Sequence, residues 1–171
     1  MPVIVLLVII AVVAVCAAAF FGYRAYKHRT LAEKLDKRDD DQVHYAFIVN
    51  PSKPQAEQRK QHIKEFCEAK HLTQIEFIET QLDKDGRACA FEALDHGADV
   101  VVAVGGDGTV RTVASALSGT GHALGIVPIG TGNLFARNMG IPVDDIDAAL
   151  TVATSHGSRP VSYTHLTLPT K

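Results

Sequence analysis

The sequence has no excess of charge of either sign and contains few cysteines. Its 171 residues include 17 lysines and arginines against 19 aspartates and glutamates, so it offers no strongly basic surface and we expect no nucleic-acid partner. The three cysteines form no CxxC pair and the eight histidines have no metal-ligand spacing. We therefore interpret the cysteines as structural thiols and expect no metal held by His or Cys. With 47% apolar residues, the composition is typical of a globular protein with one compact domain.

No charged residue occurs before Arg24, and residues 2–21 are apolar throughout. A transmembrane helix needs about 20 such residues, and the charges that follow are at first basic, which places the C-terminal side in the cytoplasm. We predict a signal anchor at 2–22 and a charged juxtamembrane linker at 23–42. A cleaved signal peptide is disfavoured because a basic n-region is missing and the apolar run is too long. A buried soluble helix is the other alternative.

From residue 43 onward, strand and helix patterns alternate. The continuous apolar run at 100–104 is typical of a parallel strand that is covered on both faces. We predict strands at 44–49, 75–80, 100–104 and 124–127, and helices at 55–71, 87–96, 110–117, 134–139 and 146–153, with Asp85 as the N-cap of the second helix. The alternation predicts an α/β domain over residues 43–160, with a parallel sheet between helical layers.

The strongest local motif is Gly105-Gly106-Asp107-Gly108-Thr109, which follows a buried strand and opens a helix. Glycines at such a junction let the backbone approach a phosphate, and the helix N–H groups point toward it. The acidic side chain of Asp107 indicates a carboxylate that holds Mg²⁺ or takes a proton from a hydroxyl. The alternative is a structural turn in which Asp107 caps the following helix. The motif matches neither the dinucleotide-binding fingerprint nor the Walker A loop.

A second glycine-rich motif, PIGTGN at residues 128–133, also joins a strand end to a helix. Open α/β sheets bind ligands beyond the carboxyl ends of their strands, so the two motifs would form two sides of one cleft. Thr131 and Asn133 can donate hydrogen bonds to phosphate oxygens, although a structural turn is the alternative for this motif. Asn50-Pro51 after the first strand is a weaker signal, because Asn-Pro commonly begins a turn.

Together, VNPSKP (49–54), VVAVGGDGTVRTVASAL (101–117) and GIVPIGTGNLFARNMGIP (125–142) resemble the catalytic domain of the diacylglycerol kinase family. That family includes bacterial lipid kinases and sphingosine-kinase-like enzymes, and the resemblance covers about residues 44–160. It implies the three-layer fold shared with NAD kinases and phosphofructokinases. It also implies ATP with Mg²⁺ as cofactors and a lipid hydroxyl as the phosphoryl acceptor.

The resemblance further implies roles for individual residues. Asp107 would be the catalytic residue and the metal ligand, near the transferred phosphate. The nucleotide contacts would come from Asn50, Thr80, Gly105, Gly106, Asp107, Gly108, Thr109, Gly130, Thr131 and Asn133.

The chain also departs from the family pattern. Arg111-Thr112 stands where many members have Asn-Glu, and Leu134 stands where many have Asp. Arg111 is interpreted either as a contact to a phosphate or lipid headgroup or as a solvated helix residue. The family continues into a second, mostly β domain, whereas residues 161–171 do not resemble the family. We interpret this tail as a truncation or read-through.

These observations predict a single-pass membrane protein whose cytoplasmic domain phosphorylates a diacylglycerol-like lipid. Two alternatives stay open: a catalytically inactive, membrane-tethered nucleotide-binding fragment, and an enzyme similar to NAD kinases. The expected partners are a lipid substrate and the membrane, and the sequence leaves open whether the chain forms a homodimer.

Overall fold

The computed structural model describes residues 11–23, 42–53 and 55–155. Residues 11–23 are helical and form α1. The other elements are β1 (Tyr45–Val49), α2 (Ala56–Ala69), β2 (Ile75–Glu79), α3 (Gly86–Asp95), β3 (Val100–Gly105), α4 (Asp107–Leu117), β4 (Ala123–Pro128), α5 (Leu134–Asn138) and α6 (Ile146–Thr154). The predicted alternation is confirmed, with each strand and helix within a few residues of its expected bounds.

The four strands form one parallel sheet in the order β2-β1-β3-β4. Tyr45 at the start of β1 pairs with Ile75 on one side and Val100 on the other, and Val100 pairs with Ala123. All four strands therefore begin at one edge of the sheet, the amino edge, and end at the other, the carboxyl edge. The chain passes outward from β1 to β2 and then crosses back to β3 and β4. This reversal between β1 and β3 is where open parallel sheets bind ligands.

Helices cover both faces of the sheet and give it three layers. Tyr45, Phe47 and Val49 of β1 are buried in one cluster with residues of α2 and α6. Ala46 and Ile48 are buried in a second cluster with residues of α3, α4 and α5. Because successive side chains of a strand point to opposite faces, a sheet that is covered on both sides needs apolar residues at every position of its central strands. The α/β fold with a parallel sheet is thus confirmed.

Two of the helices begin with an aspartate side-chain cap, of which the one at Asp85 was predicted. The carboxylate of Asp85 accepts hydrogen bonds from the N–H groups of Arg87 and Ala88, both at 3.0 Å, which confirms it as the N-cap of α3. The carboxylate of Asp145 likewise accepts from the N–H of Ala148 at the start of α6. Such bonds satisfy N–H groups that have no partner inside the helix. In α4 the N-cap position is a glycine, without a side-chain cap hydrogen bond.

The side chains of α1 are all exposed, and the rings of Phe20 and Phe21 meet edge to face with their centroids 6.0 Å apart. In the described part of the chain, no helix is long and apolar enough to cross a bilayer. The structure therefore gives the predicted anchor at 2–22 no support, and the anchor stays a prediction. Its first residues, most of the linker predicted at 23–42, and the whole tail at 161–171 lie outside the described residues.

Candidate functional site

Each predicted ligand-binding segment follows a different strand at the carboxyl edge. Asn50 follows β1 and Thr80 follows β2, while residues 105–109 (the GGDGT segment) and 128–133 (the PIGTGN segment) lie at the ends of β3 and β4. Because the strand order is β2-β1-β3-β4, Asn50 and the GGDGT segment stand on the two sides of the reversal point. The structure thus brings all the predicted segments to one edge, as the sequence indicates.

The GGDGT and PIGTGN segments are in direct backbone contact. The N–H of Ile129 donates a hydrogen bond to the carbonyl of Gly105 at 3.0 Å. A Cβ atom on Gly130 would lie 2.7 Å from the Cα of Gly106 and 2.8 Å from Oδ1 of Asn133. Only glycine at position 130 allows this approach, so the two segments form one connected surface.

The GGDGT segment is packed on itself at its start and open further along. A Cβ on Gly105 would lie 2.6 Å from the side chain of Thr109, so Thr109 folds back over the end of β3. Gly108 is exposed, and a Cβ on it would meet no atom within 4 Å apart from its chain neighbours and the backbone of its own helix. A ligand can therefore reach the first turn of α4 over Gly108, where helix N–H groups favour an anion.

Asp107 links the start of α4 to the start of α5. Its Oδ2 accepts a hydrogen bond from the N–H of Leu134 at 3.1 Å, and its Oδ1 accepts from the N–H of Phe135 at 3.0 Å. As the structural alternative, the sequence suggested that Asp107 caps the helix that follows it, α4. That alternative is wrong, because the N–H groups that Asp107 accepts from do not belong to α4. Asp107 caps a different helix, 27 residues further along the chain. Each carboxylate oxygen keeps a second lone pair beyond these bonds.

Asn133 shapes the PIGTGN segment from within. It is 5% exposed, adopts a left-handed backbone conformation with φ of 48°, and precedes α5. Its Oδ1 accepts from the N–H of Gly130 at 3.0 Å, and its Nδ2 donates to the carbonyl of Gly130 at 2.6 Å. The amide is thus bonded to its own loop, so direct donation from Asn133 to a phosphate stays a prediction.

The other predicted contact residues are closer to solvent. Oδ1 of Asn50 accepts from the N–H of Ser52 at 2.9 Å and closes a turn after β1. The N–H of Thr80 donates to the carbonyl of Val49 at 3.0 Å, which continues the pairing of β2 with β1. Both residues are partly buried, whereas Thr131 is exposed. Their side chains therefore border the carboxyl edge and leave it accessible.

Arg137 is a residue of this site that the sequence analysis did not assign. Its Nε donates a hydrogen bond to the carbonyl of Gly132 at 3.1 Å. Its position in the FAR sequence directly after the PIGTGN segment was the feature that could have indicated a role. Its hydrogen-bond partner, the carbonyl of Gly132, depends on the turn that α5 makes.

A family model for the diacylglycerol kinase catalytic domain matches residues 44–166. The chain belongs to the diacylglycerol kinase catalytic domain family. The match covers both glycine-rich segments and confirms the resemblance that their motifs carry.

Individual relatives agree with this family. A "Probable lipid kinase YegS-like" of Cronobacter sakazakii is 44% identical over 79 residues, which are 44% of this chain and 26% of that protein. A "Diacylglycerol kinase" of Bacillus subtilis is 38% identical over 79 residues, or 45% of this chain and 26% of that protein. The chain thus spans about a quarter of the length of these curated relatives.

A solved structure also resembles the fold. A putative diacylglycerol kinase from Bacillus anthracis superposes with a TM-score of 0.55 and 26% sequence identity. The superposition covers 64% of this chain and 38% of that one.

The family's expected Mg²⁺ is compatible with the side chains at this edge. Protein-bound Mg²⁺ is usually held by one or two carboxylates together with substrate phosphates and water, so the single carboxylate of Asp107 suffices in principle. Among residues 11–23, 42–53 and 55–155, no group of three His, Cys, Asp or Glu side chains could hold a metal by itself. Asp107 would be the protein ligand of such a metal, beside substrate phosphates and water.

The two cysteines of the α/β domain take no part in the site. Burial raises the pKa of the Cys67 thiol to about 11, and burial likewise raises the pKa of Cys89. A thiol reacts and binds metals as its thiolate, so both side chains are unreactive near neutral pH. This agrees with their interpretation as structural thiols.

A cleft of about 390 Å³ opens beside the PIGTGN segment, on the side of the sheet that α2 and α6 cover. Its lining includes Arg59 and His62 of α2 and Ile129 and Gly130 after β4. Nε2 of His62 lies 2.6 Å from Oδ1 of Asp147, which connects α2 to α6. Of the predicted contact residues, Gly130 alone lines this cleft, so the cleft borders the candidate site without containing it.

Proposed function

We propose that this chain provides the nucleotide-binding part of a membrane-anchored lipid kinase. The reaction transfers the γ-phosphate of ATP to the hydroxyl of a diacylglycerol-like lipid. The observation that carries the proposal is the junction of the GGDGT and PIGTGN segments, which Asp107 and the contact between Gly106 and Gly130 join at the carboxyl edge. Membership in the family supplies the reaction class.

The chemistry of phosphoryl transfer suits this junction. The reaction needs mostly positioning of the phosphates and neutralisation of their charge. The first turn of α4 offers backbone N–H groups beside the open space over Gly108, and the helix dipole adds a partial positive charge there. Bound Mg²⁺ would supply further charge neutralisation, with Asp107 as its protein ligand. Alternatively, Asp107 would accept the proton of the acceptor hydroxyl.

The membrane part of the proposal is supported by the sequence alone. Residues 2–21 are apolar and no charged residue precedes Arg24. An anchor of this kind would hold the domain on the cytoplasmic side, where ATP is available. It would also raise the local concentration of the enzyme over a bilayer substrate.

The test is transfer of label from [γ-³²P]ATP, with Mg²⁺, to candidate lipids in mixed micelles. This chain is assayed beside a version continued through the native locus, because the curated relatives are longer. We expect ATP binding and little transfer with this chain, and transfer to lipid with the longer version. Transfer to NAD in place of lipid would support an enzyme similar to NAD kinases. ATP binding without transfer in either version would support a nucleotide-binding protein that lacks the kinase step.

The role of Asp107 is tested in the version that transfers phosphate. Asp107→Asn keeps one acceptor oxygen for the cap on α5 but removes the charge, and Asp107→Ala removes both. We expect the asparagine variant to stay folded and to lose at least about a hundredfold in transfer rate. Unchanged transfer in Asp107→Asn would contradict its role in catalysis and metal binding. If the alanine variant alone failed to fold, the hydrogen bonds from α5 to residue 107 would be needed for the fold.

A further inference from the structure

The side chain of Arg137 folds back onto the loop that precedes its helix. Its backbone N–H donates to the carbonyl of Asn133 at 3.0 Å, as in a regular helical turn. Its Nε donates to the carbonyl of Gly132 at 3.1 Å. One residue therefore bonds to two successive carbonyls of the PIGTGN segment, one through its backbone and one through its guanidinium.

Gly132, which Arg137 contacts, lies against the carboxylate of Asp107. A Cβ on Gly132 would be 3.2 Å from Oδ2 of Asp107, and the same oxygen accepts the N–H of Leu134. The position of Gly132 thus determines how the PIGTGN segment meets the carboxylate of the proposed transfer site. Arg137 fixes that position, because its Nε donates a hydrogen bond to the carbonyl of Gly132.

The guanidinium has donors beyond the one that bonds to Gly132. It carries five N–H groups, of which Nε has one, and Arg137 is exposed. Its positive charge therefore lies beside a loop whose proposed ligand is a phosphate. Guanidinium groups bind phosphate oxygens in a planar, two-point geometry that lysine does not reproduce.

We propose that Arg137 is a positioning residue of the phosphoryl-transfer site. Its bond to Gly132 sets the PIGTGN segment against Asp107, and its charge favours a nucleotide phosphate at that segment. The inference rests on the proposed function, because it takes the two glycine-rich segments to be the place where the phosphates bind.

The test compares three variants of the full chain in binding titrations with MgATP and with inorganic tripolyphosphate plus Mg²⁺. Arg137→Met removes the charge and the donors, and Arg137→Lys keeps the charge without the planar group. Lys70→Met is the charge-matched control, since Lys70 follows the end of α2, at the amino edge. We expect Arg137→Met to raise the Kd for both probes by about tenfold or more. Arg137→Lys should restore part of the loss, and Lys70→Met should change the Kd by less than about twofold.

Two results would overturn the role of Arg137 while leaving the proposed function intact. One is binding of MgATP by Arg137→Met with the affinity of the unsubstituted chain. The other is an equal loss in Lys70→Met, which would reduce the effect to net charge. Absence of nucleotide binding by the unsubstituted chain would instead contradict the proposed function.

A second measurement tests the positioning without any ligand. In the nucleotide-free chain, Arg137→Met should speed the amide hydrogen exchange of Leu134 and Phe135, because the loop that presents them to Asp107 is released. The exchange of amides in β1 serves as the internal reference, since β1 is not part of the loop that Arg137 holds. Unchanged exchange at Leu134 and Phe135 would contradict the role of Arg137 even where binding is too weak to compare.

Discussion

The carboxyl and amino edges of the sheet are held together by different interactions. At the carboxyl edge the two glycine-rich segments meet through their backbones, where a Cβ on Gly130 would come within 2.7 Å of the Cα of Gly106. At the amino edge, backbone hydrogen bonds such as that from the N–H of Asp99 to the carbonyl of His44 at 2.9 Å are accompanied by contacts between side chains. The Glu76 carboxylate lies between two imidazoles, 3.5 Å from Nε2 of His44 and 2.9 Å from Nδ1 of His96.

This difference shows where the fold tolerates change. Exposed ion pairs are screened by water and contribute little free energy, and the His96 side chain is 50% exposed. A contact between backbone atoms, in contrast, cannot be relieved by a change of side-chain rotamer. The polar side chains of the carboxyl edge, Asp107 and Asn133, likewise bond to backbone groups. The carboxyl edge therefore has a defined backbone surface, which is what a phosphate-binding site requires.

The largest loss of stability is expected at the carboxyl edge, from Gly130→Ala. The added Cβ would meet the backbone of Gly106 and the amide of Asn133, so the two segments must separate. We expect a loss of about 1–3 kcal/mol in the free energy of unfolding, measured in urea. Gly108→Ala is the matched control, because its Cβ meets nothing within 4 Å and alanine favours a helix. Similar losses in the two variants would mean that the close approach does not hold the segments together.

A smaller effect is expected from Asn133→Ala. The substitution removes both hydrogen bonds to Gly130 and leaves a residue with a Cβ at a φ of 48°. We expect a cost of about 2 kcal/mol in the free energy of unfolding. Asn133→Gly loses the same bonds but accepts the left-handed backbone, so it should lose less stability. A glycine variant as unstable as the alanine variant would show that the backbone conformation contributes nothing.

The smallest effect is expected at the amino edge, from His96→Gln. The hydrogen bond and charge of Glu76 raise the pKa of His96 above its ordinary value of 6.5, with weaker contributions from Glu92 and Asp95. A raised pKa in the folded chain means that the stabilisation is fully present below the unfolded pKa. It is lost as the pH rises through the folded pKa.

Urea unfolding between about pH 6 and pH 8 measures this contribution. The unsubstituted chain should lose slightly more stability over that range than His96→Gln does. In a Glu76→Gln background the substitution of His96 should no longer alter the pH dependence. If His96→Gln left the pH dependence of the free energy of unfolding unchanged, that dependence would belong to another group.

The order of strands and helices was predictable because it depends on local patterns. Apolar runs and helical stripes predicted every element from β1 to α6 within a few residues. The cap on α3 was predictable for the same reason, since Asp85 bonds to N–H groups two and three residues along. The placement of both glycine-rich segments at one edge also followed, because parallel strands end on the same side.

The partners of the site residues were not predictable in this way. Asp107 was expected to bind a metal, take a proton or cap its own helix, and nothing in the sequence indicated its hydrogen bonds to N–H groups at the start of α5. Asn133 was expected to face a phosphate, and its amide bonds to Gly130. Arg137 gave no signal of its bond to Gly132. The contact of Asp107 depends on how β3 and β4 bring their following loops together. Those of Asn133 and Arg137 lie within the segment after β4 and depend on the turn that this segment makes.

The sequence by itself determined that this chain forms alternating strands and helices, that its central strands are buried on both faces, and that two glycine-rich motifs follow strand ends. Residue type, apolar periodicity and turn chemistry act over a few residues and need no tertiary context. Only the tertiary structure decided the strand order β2-β1-β3-β4 and the capping of α5 by Asp107. These features are set by packing the helices on both faces of the sheet, because the same local elements could be arranged with other neighbours.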